Sequence, residues 1–263
     1  MSSYNIIEIM PEVTLIEDFS VNIYVVEGKD SAIVIDTGYG VRNLKKAVEE
    51  IVKDKPLTVV YTHGHIDHAF GGHYFDKVYM SRDEMPVYER HTQRKSTMEE
   101  RIAKEYGVTH EGFEVWRDSR PQKIEFIAPG HIFDIGGNTL EVISLRGHTP
   151  GSIGLIDKKH RILFSGDGLN NHIWMQLVES TTLEEYFQTL KAVEPFRKEF
   201  DMIHMGHQRD PKPEAFIDVL EQAVKDLLEG AVGIPYNNPI ASVNGLIYKR
   251  EDSEVVYDPA RIR

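Results

Sequence analysis

The segment THGHIDH at residues 62–68 most constrains what this chain can fold into, because it directly follows the apolar run LTVVY. LTVVY has the composition of a buried β-strand, so the polar side chains after it are delivered at the strand's C-terminal end. On an extended segment His63 and His65 point to the same side, which Asp67 shares, and His68 follows where the chain turns. Neutral imidazole and carboxylate are ligands for zinc and related ions. The segment indicates part of a metal site that one short loop cannot close alone.

Three further candidate ligands each come just after another apolar strand. His148 follows TLEVISL, Asp167 follows RILF, and His207 follows FDMIHM. A fourth polar residue, Asp36, ends the strand-like segment SAIVIDTG. Functional side chains in α/β folds gather at the C-terminal ends of strands. The pattern therefore predicts that these strand ends contribute to the same site as the THGHIDH loop.

The remaining pattern predicts an α/β chain built from two similar halves. The first 36 residues resemble four short strands of an antiparallel sheet, and strands are also expected between residues 123 and 166. Helices are predicted at 41–52, 183–193 and 213–229, and a closing strand hairpin near the C-terminus. Two halves, each a sheet with helices on one face, predict a four-layer αββα sandwich. Residues 1–263 are expected to form a single domain, with a helical, lid-like insertion at about 82–120.

Composition narrows the partners and the ligand chemistry. The net charge of −12 disfavours nucleic acid and anionic membrane surfaces. The chain has no cysteine, so thiolate ligands and disulfides are excluded and any metal must be held by nitrogen and oxygen. No signal-peptide pattern and no run of roughly 20 apolar residues is present, which predicts a cytoplasmic protein with no membrane partner. Composition does not indicate an oligomeric state.

These five segments together resemble those of the metallo-β-lactamase superfamily. HGHIDH matches its His-x-His-x-Asp-His signature, and GHTPG, SGD and GH match its later histidine, bridging aspartate and last histidine. The resemblance extends from Val21 to about His207, and it implies the four-layer αββα fold with a binuclear metal site. The ligands that it implies are His63, His65 and His148 for one ion, Asp67, His68 and His207 for the other, and Asp167 as the bridge.

The resemblance also implies a hydrolytic chemistry. Two divalent ions, zinc by default with iron or manganese as alternatives, would lower the pKa of a bridging water. Asp67 is the implied catalytic residue, which would orient that water or pass its proton to the leaving group. In many members of the family, an aspartate at the position of Asp36 lies under the loop that carries the His-x-His-x-Asp-His signature. There it would accept a hydrogen bond from an imidazole or a loop amide, and a simple loop cap is the alternative.

Among substrates, a small-molecule ester, thioester or lactone is the favoured hypothesis, and a phosphodiester is the alternative. A β-lactamase is disfavoured because zinc β-lactamases generally carry cysteine or serine where this chain has Asp167. A nuclease is disfavoured because the charged segment 82–120 is nearly balanced in sign and provides no basic arm. A noncatalytic metal-binding protein is less favoured, since a shared aspartate exceeds what a structural zinc site requires.

Two residues beyond Asp167 are possible parts of a substrate pocket. His172 and Trp174 follow the bridging aspartate closely, and the alternative is that 173–177 only packs under the next helix. Histidine is more often an ordinary surface or core residue than a ligand. That ordinary interpretation is given to four of the twelve histidines, which are His91, His110, His131 and His160.

Overall fold

The computed structural model describes residues 4–107, 113–238 and 243–263, so His110 lies outside the described residues. The chain divides into two compact units. The first unit comprises Met1–Ile127, Phe133–Thr139 and Gly206–Gln208, and the second comprises Ala128–Ile132, Leu140–Met205 and Arg209–Arg263. Each unit has an apolar core of its own.

A seven-stranded sheet organises the first unit, in the order β1-β2-β3-β4-β5-β6-β7. Its strands are Asn5–Met10, Val13–Asp18, Val21–Glu27, Ala32–Ile35, Leu57–Val60, Lys77–Ser81 and Lys123–Ile127. The first four are antiparallel, as predicted, and β4 to β7 are parallel. Ile35 and Val60, the last residues of β4 and β5, are register partners. The chain therefore leaves both strands side by side, which brings Asp36 next to the segment that contains THGHIDH.

Helix α1, Leu44–Val52, makes the parallel crossover from β4 to β5. It begins at Leu44, later than the predicted residue 41, because the Asn43 side chain accepts a hydrogen bond from the Lys46 amide and caps the helix. Leu44, Val48 and Val52 recur on one face and belong to the core of the first unit. The short helix α2, Ile66–Ala69, begins within the THGHIDH segment, and a 3-10 helix, Phe70–Tyr74, follows it.

The predicted helical insertion contains helices α3 (Met85–Gln93), α4 (Lys95–Tyr106) and α5 (Glu114–Asp118), while residues 108–112 are not among those described. Lys95 is 3% exposed, and its ammonium donates to the Trp116 carbonyl at 2.8 Å. The ammonium also lies over the Phe70 and Trp116 rings. Burial lowers the pKa of Lys95 to about 7. The Trp116 indole donates to the Tyr39 carbonyl, so α5 is tied to the loop after β4.

Two sheets belong mainly to the second part of the chain. The six-stranded sheet has the order β14-β13-β11-β10-β9-β8, and the four-stranded sheet has the order β12-β17-β16-β15. Helices α6 (Leu183–Val193) and α7 (Phe216–Leu228) contribute apolar faces to the core of the second unit. The strands are β8 Ile132–Asp134, β9 Thr139–Ser144, β10 Ile153–Asp157, β11 Ile162–Gly166, β12 His172–Met175, β13 Met202–Met205, β14 Lys212–Pro213, β15 Ile234–Tyr236, β16 Gly245–Arg250 and β17 Ser253–Tyr257.

The predicted C-terminal hairpin is confirmed in β16 and β17, which pair antiparallel. Strand β12 is absent from the sequence-based expectation, and it pairs in parallel with β17, so that His172 lies opposite Glu254. Ile173 and Met175 enter the core of the second unit, as the packing interpretation of 173–177 expects. His172 and Trp174 alternate with them and are therefore on the other face of the sheet.

His204 on β13 gives the stability of the second unit a defined pH dependence. The residue is 4% exposed, and burial lowers the pKa of its imidazole from 6.5 to about 4. As the pH falls from about 6.5 to 4, the unfolded chain binds a proton that the folded chain does not, so stability is lost across that window. The loss attributable to His204 is on the order of 3 kcal/mol once the pH is below 4.

We expect the free energy of unfolding of His204→Leu to fall less steeply than that of the unsubstituted chain as the pH decreases from 6.5 to 4. Urea unfolding at several pH values between 4 and 7.5 measures this difference against the unsubstituted chain. Parallel curves for the two proteins would show that another group causes the acid loss.

Candidate metal centre

Residues 62–68, here called the metal loop, follow β5 and include the first three residues of α2, and most of their side chains are buried. His63 and His68 are fully buried and His65 is 6% exposed, while Asp67 is half-buried. Tyr61, directly before the loop, and Ile66, within it, belong to the core of the first unit. The loop therefore presents its imidazoles in a largely dry environment, where metal coordination competes with little water.

His207 joins the metal loop within the first unit. The neighbouring backbone is held by Asn22, whose amide donates to Gly206 O and whose side chain donates to Gln208 O, both at 2.7 Å. His207 Nδ1 donates to the Ser20 carbonyl at 2.7 Å, because a carbonyl can only accept. The lone pair of this ring is consequently on Nε2.

Three candidate ligand atoms lie close together where His207 meets the metal loop. His68 Nε2 lies 3.4 Å from His207 Nε2, and Asp67 Oδ2 lies 3.5 Å from His207 Nε2 and 3.8 Å from His68 Nε2. Ligands at zinc-like bond lengths of about 2.0–2.1 Å in tetrahedral geometry are about 3.3 Å apart. The observed triangle is close to that spacing, so Asp67, His68 and His207 fit a single divalent ion.

His63 and His65 form a second close pair in the same loop. His63 Nε2 lies 3.2 Å from His65 Nδ1, and the two rings meet edge to face. This spacing also matches that of two ligands on one tetrahedral ion, about 3.3 Å. The expectation that the two imidazoles point to one side is confirmed.

Asp36 fixes the tautomers of two of these histidines. Its Oδ1 accepts the Thr62 amide at 2.7 Å, and its Oδ2 accepts the Thr62 hydroxyl and His68 Nδ1, each at 2.8 Å. Because the Thr62 hydroxyl gives its proton to Asp36, its oxygen accepts from His63 Nδ1 at 3.0 Å. Both imidazoles thus carry their protons on Nδ1 and their lone pairs on Nε2, the tautomer that metal binding at Nε2 requires.

His148 and Asp167 lie together in the second unit. His148 Nδ1 donates to the Trp174 carbonyl at 2.8 Å, which again leaves the lone pair on Nε2, and this atom is 3.7 Å from Asp167 Oδ2. Asp167 Oδ1 accepts from the Asn170 side chain at 3.3 Å, whose own oxygen accepts from the His172 amide. His148 and Asp167 are 3% and 8% exposed, so both are shielded from bulk water.

The two pocket candidates differ in their contacts. His172 Nδ1 lies 2.5 Å from Glu254 Oε2, and its Nε2 lies 3.2 Å from the Tyr236 hydroxyl. A hydrogen bond from Lys249, with a smaller contribution from His172, holds the pKa of Glu254 below its ordinary value. Trp174 is partly exposed, and its buried Nε1 has no hydrogen-bond partner among the described residues.

The three described histidines that were given the ordinary interpretation, and Arg146, differ in their surroundings. His160 pairs with Asp157 at 2.6 Å and His131 is exposed, as the ordinary interpretation expects. Arg146, two residues before His148, pairs with Glu185 at 3.6 Å. His91 is partly buried, and its ring stacks on the ring of His65 with 4.5 Å between the centroids. The sequence pattern does not indicate this contact, because it depends on how α3 packs in the folded structure.

A family comparison gives these residues a context. The model of the metallo-beta-lactamase superfamily matches residues 16–207, which include every predicted ligand. The chain belongs to the metallo-β-lactamase superfamily. Its predicted α/β class and fold, and its predicted membership among the metallo-hydrolases of this superfamily, are confirmed at the level of the family. The superfamily typically binds metal ions, with which the His–Asp cluster of the metal loop agrees.

Two curated members of the superfamily resemble the chain in sequence. The acyl-coenzyme A thioesterase MBLAC2 of Homo sapiens is 28% identical over 190 residues, which cover 65% of this chain and 66% of that protein. The hydroxyacylglutathione hydrolase GloC of Haemophilus influenzae is 28% identical over 164 residues, covering 62% of this chain and 71% of that protein. The chain therefore spans slightly less than two thirds of the thioesterase's length.

Solved structures share the superfamily fold at lower identity. A metallo-beta-lactamase from Pontibacter korlensis superposes with a TM-score of 0.60 at 17% identity, covering 85% of this chain and all of that one. An identity this low establishes the fold alone.

Within the described part of the chain, no helix combines the length and apolarity that a membrane crossing requires.

Proposed function

We propose that this superfamily member is a two-metal hydrolase whose preferred substrate is a small-molecule thioester. The observation that carries the proposal is the triangle of Asp67, His68 and His207 at the spacing of ligands on one ion. The names of the two curated relatives, an acyl-coenzyme A thioesterase and a hydroxyacylglutathione hydrolase, favour thioesters over simple esters and lactones. Binding of a small molecule also agrees with the net charge of −12, which disfavours polyanionic partners.

The proposed centre uses the whole signature of the superfamily. Two ions, with zinc as the default metal, would polarise the substrate carbonyl and provide a nucleophilic water near neutral pH. In this proposal the ligands of one ion are His63, His65 and His148, the ligands of the other are Asp67, His68 and His207, and Asp167 is shared.

The chain's own residues have distinct tasks in this proposal. Asp36 and Thr62 hold the protons of two histidines on Nδ1, so that these rings stay oriented through the reaction. The carboxylate of Asp67 is 20% exposed, which lets it hold a proton at one oxygen and release it to a leaving group. A thiolate leaves readily because a thiol is a stronger acid than an alcohol, so this proton transfer matters less for a thioester than for an ester.

We also propose that His172 and Trp174 form part of the wall that contacts the substrate. Both side chains project from the same face of β12, and Asn170 connects the backbone of His172 to Asp167 by hydrogen bonds. Both residues are partly exposed, so the indole of Trp174 offers a bound substrate a larger apolar surface than a phenylalanine ring would. Trp174→Phe should therefore raise KM more than it lowers kcat.

A panel of substrates on one metal-loaded preparation tests the proposed function. It contains an acyl-coenzyme A, an acyl-glutathione thioester, an aryl ester, an acyl homoserine lactone, an aryl phosphodiester and a chromogenic cephalosporin. We expect kcat/KM for the better thioester to exceed that for every other class by at least about tenfold. The same panel on Asp67→Asn identifies contaminating activity. Any class other than a thioester at the top of the ranking would contradict the proposal.

A further inference from the structure

Three backbone amides of the metal loop, at alternating residues, donate to side chains from elsewhere in the first unit. The Thr62 amide donates to Asp36, as described above. The Gly64 amide donates to Glu84 Oε2 at 2.7 Å, and the Ile66 amide donates to His91 Nδ1 at 3.3 Å. The path of the loop between His63 and Asp67 is thus fixed by acceptors that the sequence signature does not contain.

Two of these acceptors come from one face of the helical insertion. Glu84 ends the 3-10 helix Arg82–Glu84, which continues directly into α3, and Tyr88 and His91 follow it at spacings of four and seven residues. Residues at these spacings share a helix face. We call Glu84, Tyr88 and His91 the clamp.

Gly64 allows the clamp to approach the loop closely. A Cβ atom added at Gly64 would lie 2.8 Å from the Tyr88 nitrogen and 3.0 Å from the Glu84 carbonyl oxygen. No larger residue fits at this place without displacing the backbone of the helix. The glycine inside THGHIDH is therefore explained by helix packing, and the Tyr88 ring stacks near Tyr61 just before the loop.

His91 constrains the ring of a proposed ligand as well as the backbone beside it. Because His91 Nδ1 accepts the Ile66 N–H, its own proton is on Nε2. The His91 ring stacks on His65 at an interplanar angle of 26°. The stacked orientation is the one in which His65 Nδ1 faces His63 Nε2 at 3.2 Å.

Glu84 places a carboxylate against the same loop. The residue is fully buried, and a buried carboxylate requires hydrogen bonds or a nearby positive charge to offset its desolvation. The Gly64 amide supplies one such hydrogen bond. A carboxylate behind a loop of neutral imidazoles also favours binding of a dication in front of them.

We propose that Glu84 and His91 are positioning residues that set the metal affinity of the His63–His65 pair. The helical insertion then acts as a support for the metal loop, in addition to any role as a lid. This inference rests on the proposed two-metal function, because it assigns the His63–His65 pair to one of the two ions. Neither residue needs to touch the metal or the substrate for this role.

Chelator competition on the full-length chain tests the clamp, since it gives one zinc dissociation constant for each ion. We expect His91→Ala to weaken one of the two constants by about 10–100-fold and to leave the other unchanged. Asparagine can present an oxygen where imidazole Nδ1 was, so His91→Asn should bind zinc more tightly than His91→Ala. His91→Phe keeps only the stacking ring, so its zinc affinity should lie closer to that of His91→Ala. Glu84→Gln should weaken the same constant, while Glu89→Gln, at an exposed position of the same helix, should match the unsubstituted chain.

Two further readouts separate positioning from general damage. The melting temperature of the metal-free His91→Ala chain should stay within a few degrees of the unsubstituted value, and kcat should recover at saturating zinc. Unchanged constants in both His91→Ala and Glu84→Gln, or equal loss of both constants together with metal-free stability, would overturn the proposal. If the unsubstituted chain binds a single zinc, the proposed two-metal function fails, and the clamp is then judged by whether that one constant weakens in His91→Ala.

Discussion

Replacing Asp167 with alanine should lower kcat/KM for thioester hydrolysis by at least about a thousandfold. The carboxylate is proposed as the ligand that both ions share, so its loss removes a negative charge from between two positive ones and also removes a ligand from each. Its position beside His148 Nε2, at 3.7 Å, and its hydrogen bond from Asn170 give it a defined orientation.

The control for this substitution is Asp201→Ala. Asp201 is exposed and pairs with Arg161 at the start of β13, so its removal tests the general effect of losing one carboxylate. Steady-state assays with excess zinc measure both variants. Activity of Asp167→Ala within tenfold of the unsubstituted chain would place the chemistry elsewhere.

The second large effect is expected at Asp36, where the change to asparagine should weaken zinc binding about 10–100-fold. Asp36 adopts a left-handed backbone conformation, with φ of 64°, and asparagine is one of the few residues that tolerate it. The substitution therefore tests the charge and the acceptors with little change in backbone strain.

The reason for the loss is the number of donors that Asp36 satisfies. Its two oxygens accept from the Thr62 amide, the Thr62 hydroxyl and His68 Nδ1. An asparagine side chain has one oxygen, so its NH₂ group must face one of these donors. The imidazole of His68 would then be driven to the tautomer with its proton on Nε2, the atom that faces Asp67 and His207.

Chelator competition at pH 7.5 gives the affinity of Asp36→Asn, and activity against zinc concentration gives a second readout. We expect activity to fall at limiting zinc and to recover largely when zinc is in excess. Affinity equal to that of the unsubstituted chain would show that Asp36 serves only as a loop cap, the alternative considered from the sequence.

The parts of the site that follow from local patterns were predictable from the sequence. Alternation places His63 and His65 on one side of the loop, and an apolar strand before each candidate ligand predicts its position at a strand end. The start of helix α1 was misjudged by three residues, because Asn43 caps the helix through a side chain whose preference for that role competes with helical periodicity. The helix at Leu183–Val193 was located correctly, and the structure shows that Thr182 and Glu185 form a capping box at its beginning.

Contacts between distant segments were not predictable in the same way. Strand β12 has only four residues and is stabilised by pairing with β17, which follows it by about eighty residues in the chain. The acceptor for His148 Nδ1 is a backbone carbonyl, that of Trp174, and a backbone atom leaves no trace in residue identity. The helical spacing of Glu84 and His91 is visible in the sequence, but the loop that they contact is defined only by packing.

The most direct test of the central claim is the number of metal ions that one chain binds. The protein is stripped with a chelator, loaded with excess zinc, freed of unbound metal by gel filtration, and analysed for zinc and protein together. The two-metal proposal predicts two zinc ions per chain, and return of thioester hydrolysis as the second ion binds. One ion per chain or none, or full activity in the stripped protein, would contradict it.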